Sequence, residues 1–175
     1  GKTPNTGQGQ RRSTPKHETR NTKHIKMNAN TVNSAFESRF STAPDITVRA
    51  PGRINLIGEH TDYNGGFVLP AAIDKAIWLA AGKRADGRFA FYALDLDDYF
   101  LSDDVGTVFQ EQHKWANYLL GVISEARKDG LLIGGLNVVF GGDVPLGAGL
   151  SSSAALESGT MFVLNELYQL GLSRM

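Results

Sequence analysis

Two stretches of the sequence gather residue types that can do chemistry. The first, Gly141-Gly-Asp-Val-Pro-Leu-Gly-Ala-Gly-Leu-Ser-Ser-Ser-Ala-Ala155, joins a strand-like run to a helix-like one. Gly147 and Gly149 let the backbone approach a ligand closely and adopt positive φ. A helix opening after such a loop points free N–H groups and its positive dipole end back at it. Ser151, Ser152 and Ser153 add hydroxyls that suit phosphate oxygens or a Mg²⁺ ion. The arrangement fits a nucleoside triphosphate. It is not a Walker loop, which needs Gly-Lys-Ser/Thr. The GxGxxG pattern meets Ser152 in place of its third glycine, and GxSxG has no match. An ordinary strand-to-helix turn with a serine cap stays open as an alternative, although one serine suffices for a cap.

The second stretch is Arg53-Ile-Asn-Leu-Ile-Gly-Glu-His-Thr-Asp-Tyr-Asn-Gly-Gly66. Arg53, Asn55, Glu59, His60 and Asp62 fall within ten residues, and Ile54, Leu56 and Ile57 are expected to anchor the first half in the interior. Two carboxylates beside an imidazole are good acceptors for vicinal sugar hydroxyls. A polar turn built on Asn64-Gly65 would also explain the stretch. So would a metal cluster, though no second histidine stands at helical spacing.

These stretches need elements to position them. Folded sequence is expected to begin near Phe36. Asp45 to Ala50 puts Ile46, Val48 and Ala50 on one face, a strand that Pro51-Gly52 breaks or bends. Ala76 to Lys83 and Arg88 to Leu94 are β-like runs, and the Asp86-Gly87 pair between them predicts a hairpin. His113 to Lys128 sets Trp115, Tyr118, Leu119, Val122, Ile123 and Ala126 at helical spacing, with Gly130 as the stop. Leu136 to Phe140 is a strand, and Ser151 to Leu170 a helix with Gly171 after its end. Local antiparallel pairing mixed with helix crossovers predicts an α+β class. Trp78 and Trp115 read as core, the acidic run Asp95 to Asp104 as a solvated face, and His17, His24 and His113 as surface.

Composition narrows the functions. At 175 residues the chain suits one domain, and 41% hydrophobic with 21% charged residues is a globular balance. Eighteen basic and eighteen acidic side chains cancel, which argues against a polyanion binder. Cysteine is absent, which excludes disulfides, thiolate metal sites and cysteine nucleophiles. No apolar run approaches the roughly 18 residues of a membrane span. The charge is unevenly spread: residues 1–26 carry seven basic residues and one acid, with Ile25 the one large apolar residue. Residues 1–26 are therefore expected to be a disordered basic extension, a tag or upstream sequence, ahead of a folded part at 27–175.

Gly52-Arg-Ile-Asn-Leu-Ile-Gly-Glu-His-Thr-Asp-Tyr63 closely resembles the galactokinase signature, and Pro145-Leu-Gly-Ala-Gly-Leu-Ser-Ser-Ser-Ala154 resembles the GHMP-kinase phosphate loop. The resemblance runs from about Phe36 to Met175 and leaves out residues 1–26. It implies an α+β GHMP-kinase N-terminal lobe, ribosomal protein S5 domain 2-like, and incomplete. It implies ATP and Mg²⁺ as cofactors, D-galactose as substrate and galactose 1-phosphate as product. The enzyme would be cytoplasmic, a monomer at full length, and would bind neither nucleic acid nor membrane. By position, Arg53 would be the catalytic group that stabilises charge on the transferring phosphoryl group. Glu59, His60, Thr61 and Asp62 would bind the sugar. Gly147, Ala148, Gly149, Leu150, Ser151, Ser152 and Ser153 would wrap the ATP phosphates, with Ser153 also at the metal. Such chemistry is mostly positioning plus electrostatics. A kinase for a related sugar such as N-acetylgalactosamine, or a non-catalytic galactose- and ATP-binding regulator, are the alternatives.

In the family so resembled, a catalytic aspartate in a Met-Asp-Gln setting, a metal-binding glutamate and a third glycine-rich motif follow the phosphate loop. None occurs before Met175. The chain is accordingly expected to be the N-terminal half of a galactokinase, without turnover of its own. Val138, Phe140, Leu156, Leu164 and Leu167 are expected to be faces shaped for absent elements, leaving the chain loosely packed or poorly soluble.

Overall fold

The computed structural model describes residues 26–58, 64–106, 109–144 and 151–173. The expectation for the basic extension falls on residues 1–26, all but the last of which lie outside the described residues. Helical structure begins before Phe36. Asn28 caps helix α1 (Ala29–Phe40), its side-chain oxygen accepting the Thr31 N–H at 3.0 Å. The helix ends at Ser41, whose N–H returns to the Glu37 carbonyl at 2.9 Å. Only Val32 and Phe36 are buried on it, one turn apart. Two apolar positions make a weak periodic signal, which is why the sequence reading passed over this helix.

Strand β1 (Ile46–Ile57) runs through Pro51-Gly52 without breaking. Its partner is β2 (Leu69–Arg84), and the irregularity is a register shift: Pro51 faces Ala76, yet Arg53 faces Ala72. Proline is tolerated there because β1 is an edge strand. Then come β3 (Phe89–Ala93), β4 (Asp98–Ser102), helix α2 (Ala116–Lys128), β5 (Gly135–Gly142) and helix α3 (Ser152–Tyr168). The sheet order is β1-β2-β5-β3-β4.

That order corrects the expected hairpin between Ala76–Lys83 and Arg88–Leu94. The Asp86-Gly87 turn forms, with Arg84 Nε donating to Asp86 Oδ1 at 2.8 Å, but the two strands it joins are not neighbours. β5 lies between them, antiparallel to β2 and parallel to β3. The parallel pairing follows from a crossover through β4 and α2, the length of connection such pairs require. Gly135 permits the entry of β5. A Cβ there would stand 2.7 Å from the Gly87 carbonyl carbon and 2.8 Å from Arg88 N and O, all backbone atoms.

Alternation along the strands gives the sheet two covered faces. Leu79, Ala81, Val138, Phe140, Phe89 and Phe91 join α2 and α3 in the main core. Ala80 and Val139, the residues between, pack with Val32 and Phe36 of α1. Val138, Phe140, Leu156, Leu164 and Leu167 are all buried within this chain. They are not faces waiting for other elements, and the loose packing expected from them loses its basis. Exposure is found instead at the far end of the β1–β2 pair, where β2 from Leu69 to Ala76 has no β5 partner. Leu56 and Ile57 are 60% and 68% exposed there, and Phe67 fully so. The expected interior anchoring by Leu56 and Ile57 is therefore not observed.

The helix ends are legible in their hydrogen bonds. α2 starts at Ala116 rather than His113 and closes in a Schellman motif, Leu131 N–H to Ala126 O at 3.1 Å and Gly130 N–H to Arg127 O at 3.0 Å. Gly130, at φ 84°, is the stop that the sequence indicated. α3 ends at Tyr168, earlier than Leu170, with Gln169 rather than Gly171 taking the left-handed position directly after it.

Candidate functional site

The site begins where α3 opens. Ser151 sits in the left-handed region at φ 52° and makes no side-chain capping bond. The first helical bond is Ala155 N–H to Ser151 O at 3.0 Å. The serine cap that the sequence allowed is thus not formed. Left-handed backbone is found also at Ser41 and Gln169, where it closes helices, but Ser151 opens one, and an opening turn without its side-chain cap suits an anion.

Ser152 and Ser153 line a cavity of ≈ 390 Å³ together with Asp95, Trp115, Tyr118 and Phe140. The wall is mostly apolar with a few polar groups, the usual make-up of a small-molecule site. Two aspartates fix the strand end that feeds the loop. Asp95 Oδ2 accepts the Gly142 N–H at 2.8 Å. Asp143 Oδ1 accepts the Ala76 N–H at 2.9 Å, and Lys75 Nζ donates to its Oδ2 at 3.2 Å. Crowding out of water pushes the Asp95 carboxyl above its usual value, against the Gly142 bond, and the nearby Asp143 adds to the rise. At Asp143 the same crowding acts upward, yet the Ala76 and Lys75 bonds outweigh it and leave the carboxyl below the ordinary range.

Trp115 is held beside this cavity. Its indole N–H donates to Asp98 Oδ2 at 2.7 Å, and His113 Nδ1 lies 2.9 Å from the same oxygen. These contacts correct two sequence readings and add detail to a third. Trp115 is half-buried and lines a cavity rather than serving the core alone. The acidic run is a solvated face as read, with Asp95, Asp97, Asp103 and Asp104 exposed, but within it Asp95 is bonded to Gly142 and Asp98 to Trp115 and His113. His113 has a partner. No spacing in the sequence announces this network, because it forms where a hairpin end meets the start of a helix.

Arg53 lies on β1, exposed, across from Ala72 in the β1–β2 ladder. Among the described residues it is not part of the cavity that holds Ser152 and Ser153. Glu59, His60, Thr61 and Asp62 lie outside the described residues, as do Gly147, Ala148, Gly149 and Leu150. Among the described residues, no group of three or more His, Cys, Asp or Glu side chains is placed to hold a metal ion. No helix among them is long and apolar enough to cross a membrane.

Comparison with known proteins agrees with both stretches. Residues 34–83 match the galactokinase galactose-binding signature, and residues 117–175 match the GHMP kinases N-terminal domain. A Lactococcus lactis galactokinase solved in complex with galactose is 35% identical, with a TM-score of 0.71 over 81% of this chain. Methanococcus jannaschii mevalonate kinase shares the fold at 19% identity, with a TM-score of 0.62 over 73% of this chain. The chain spans 37% of the first of these proteins and 42% of the second. It belongs to the GHMP kinases, in their galactokinase branch, and has the α+β fold of their N-terminal lobe.

Proposed function

We propose that the chain supplies the nucleotide and sugar sites of an ATP-dependent sugar 1-kinase whose substrate is D-galactose and whose products are galactose 1-phosphate and ADP. The observation that carries the nucleotide half is the start of α3: a left-handed Ser151 without a side-chain cap, followed by Ser152 and Ser153 in a largely apolar cavity. An apolar wall suits a base, and an uncapped helix start suits phosphates. The sugar half is supported by the match of residues 34–83 to a galactose-binding signature.

In this reading Gly147 to Ser153 surround the ATP phosphates with backbone N–H groups and hydroxyls. Glu59, His60, Thr61 and Asp62 accept and orient sugar hydroxyls. Arg53 places a permanent positive charge where negative charge grows on the transferring group. Ser153 is the one described residue assigned to Mg²⁺, which would be held chiefly by the phosphates themselves. The ion supplies charge neutralisation for phosphoryl transfer. The reaction is placed in the cytoplasm, and the whole kinase acts as a monomer.

Calorimetric titration of this chain with Mg-ATP, and separately with galactose, tests the reading. Saturable binding of both ligands is expected, with N-acetylgalactosamine binding more weakly than galactose. Binding of Mg-ATP without any sugar would reduce the reading to a nucleotide-binding domain. Preference for N-acetylgalactosamine would move it to a different sugar.

A further inference from the structure

Outside the two sequence motifs, a polar cluster surrounds Asp98. One carboxylate oxygen, Oδ2, takes the Trp115 indole N–H at 2.7 Å and lies 2.9 Å from His113 Nδ1. A carboxylate only accepts, so His113 donates from Nδ1. The backbone of Asp98 is fixed in turn, since it opens β4 opposite Ala93, a residue lining the same cavity as Trp115.

Aromatic contacts complete a box around the indole. Phe100 meets Trp115 edge-on with centroids 6.5 Å apart, and meets His113 edge-on at 5.6 Å. His113 and Trp115 are themselves 6.3 Å apart and nearly perpendicular. Trp115 also tilts against Phe140 at 5.4 Å, and both rings line the cavity beside Ser152 and Ser153. An indole turns about two side-chain torsions, and a hydrogen bond at its N–H together with three neighbouring rings restrains both. The two bonds also hold the Asp98 carboxyl below its usual value, the Trp115 bond first, so it is a charged acceptor at neutral pH.

We propose that Asp98, steadied by His113, is a positioning residue that holds the Trp115 indole as a fixed apolar wall for the base of the nucleotide. The inference rests on the nucleotide reading of this cavity and adds to it the part that sets base affinity. Asp98 touches no substrate in this scheme. It acts through Trp115, so its loss weakens nucleotide binding and leaves sugar binding as it was.

The experiment uses this chain with Trp78→Phe, which leaves Trp115 as its sole tryptophan. Binding of Mg-ATP and of galactose is followed by calorimetry, and Trp115 mobility by fluorescence anisotropy and quenching. Asp98→Ala is expected to weaken Mg-ATP about tenfold, the effect of one lost charge-assisted hydrogen bond, with more mobile Trp115 emission and an unchanged galactose Kd. Asp98→Asn keeps the shape and is expected to change Mg-ATP affinity in the same direction by a smaller factor. It stands in if the alanine variant does not fold. In a Trp115→Phe background, where no indole N–H remains, Asp98→Asn is expected to cost nothing further. An Asp98→Asn loss that persists without the indole, or that falls equally on galactose, overturns the proposal. Unchanged Mg-ATP affinity in both Asp98 variants overturns it as well while leaving the nucleotide reading intact. Absence of Mg-ATP binding by the unaltered chain overturns the nucleotide reading and this proposal with it.

Discussion

Burial pushes the Tyr168 hydroxyl up to about 12 from 10.0, and it donates to the Gly135 carbonyl at 2.7 Å. Its folded pKa therefore lies above its unfolded one. The stability it contributes is whole below about pH 10 and is lost as pH rises through about 12. Tyr168→Phe is expected to remove the last-titrating phenolate from the near-ultraviolet absorbance. It should also flatten the loss of stability over that window. Tyr92, raised by its bond to Asp97, is also expected to titrate late, so a difference spectrum that loses no late phenolate on substitution would remove the shift from Tyr168. Arg53 carries a prediction about rate. In a chain that turns over, Arg53→Ala is expected to lower kcat about 100-fold while KM for galactose barely moves, since its charge is used as negative charge develops. A change confined to KM would remove it from that role. Ser152 and Ser153 stand out in the sequence because a glycine-rich loop ahead of a helix brings hydroxyls to the helix start, and the structure puts both on a cavity wall. Asp95, Asp98 and His113 do not stand out, since an aspartate in an acidic run says nothing about which N–H groups the fold will bring to it.

Between elements, one tight constraint is the close approach of β5 to the backbone of the turn ahead of β3. Gly135→Ala would drive a methyl into backbone at Gly87 and Arg88, where no side chain can give way. The expected cost is about 3 kcal/mol, a fall in Tm on the order of 10 °C for a chain of this size. A variant that unfolds like the parent would mean that β5 shifts its register to make room. Strand positions were readable from alternation, but strand neighbours were not. Asp86-Gly87 has the chemistry of a tight turn wherever it occurs, and only β5, some fifty residues later, decides that the strands it joins are kept apart. The exposure of the β1–β2 ribbon is hidden in the sequence for a related reason. Leu56 and Ile57 look like core residues in a pattern, yet the ribbon extends beyond β5 and leaves them in solvent. Replacing Leu56, Ile57 and Phe67 by serine is expected to reduce self-association in light scattering. The effect on Tm should be small, since surface changes usually stay within about 0.5 kcal/mol. A large fall in Tm would show that these residues carry packing.

At the scale of the molecule, a sheet covered by α1 on one face and by α2 and α3 on the other is expected to unfold as one cooperative unit. Mg-ATP at 100 times its Kd should add about 2.7 kcal/mol, and galactose should add its own increment if the two sites are separate. A broad transition insensitive to both ligands would contradict a chain that binds them. The position of β5 also bears on how the molecule comes into being. The sequence up to Ser102 makes two hairpin-like pairs, β1 with β2 and β3 with β4, and the pairs are not neighbours in the finished sheet. Both wait for one late strand. During synthesis the inner edge of each pair stays open until residue 142 has left the ribosome. Nascent chains stalled before that point should therefore engage chaperones, and those stalled after it should not. Parallel insertion between waiting edges is a high-contact-order step, so it should set the folding rate of the whole lobe.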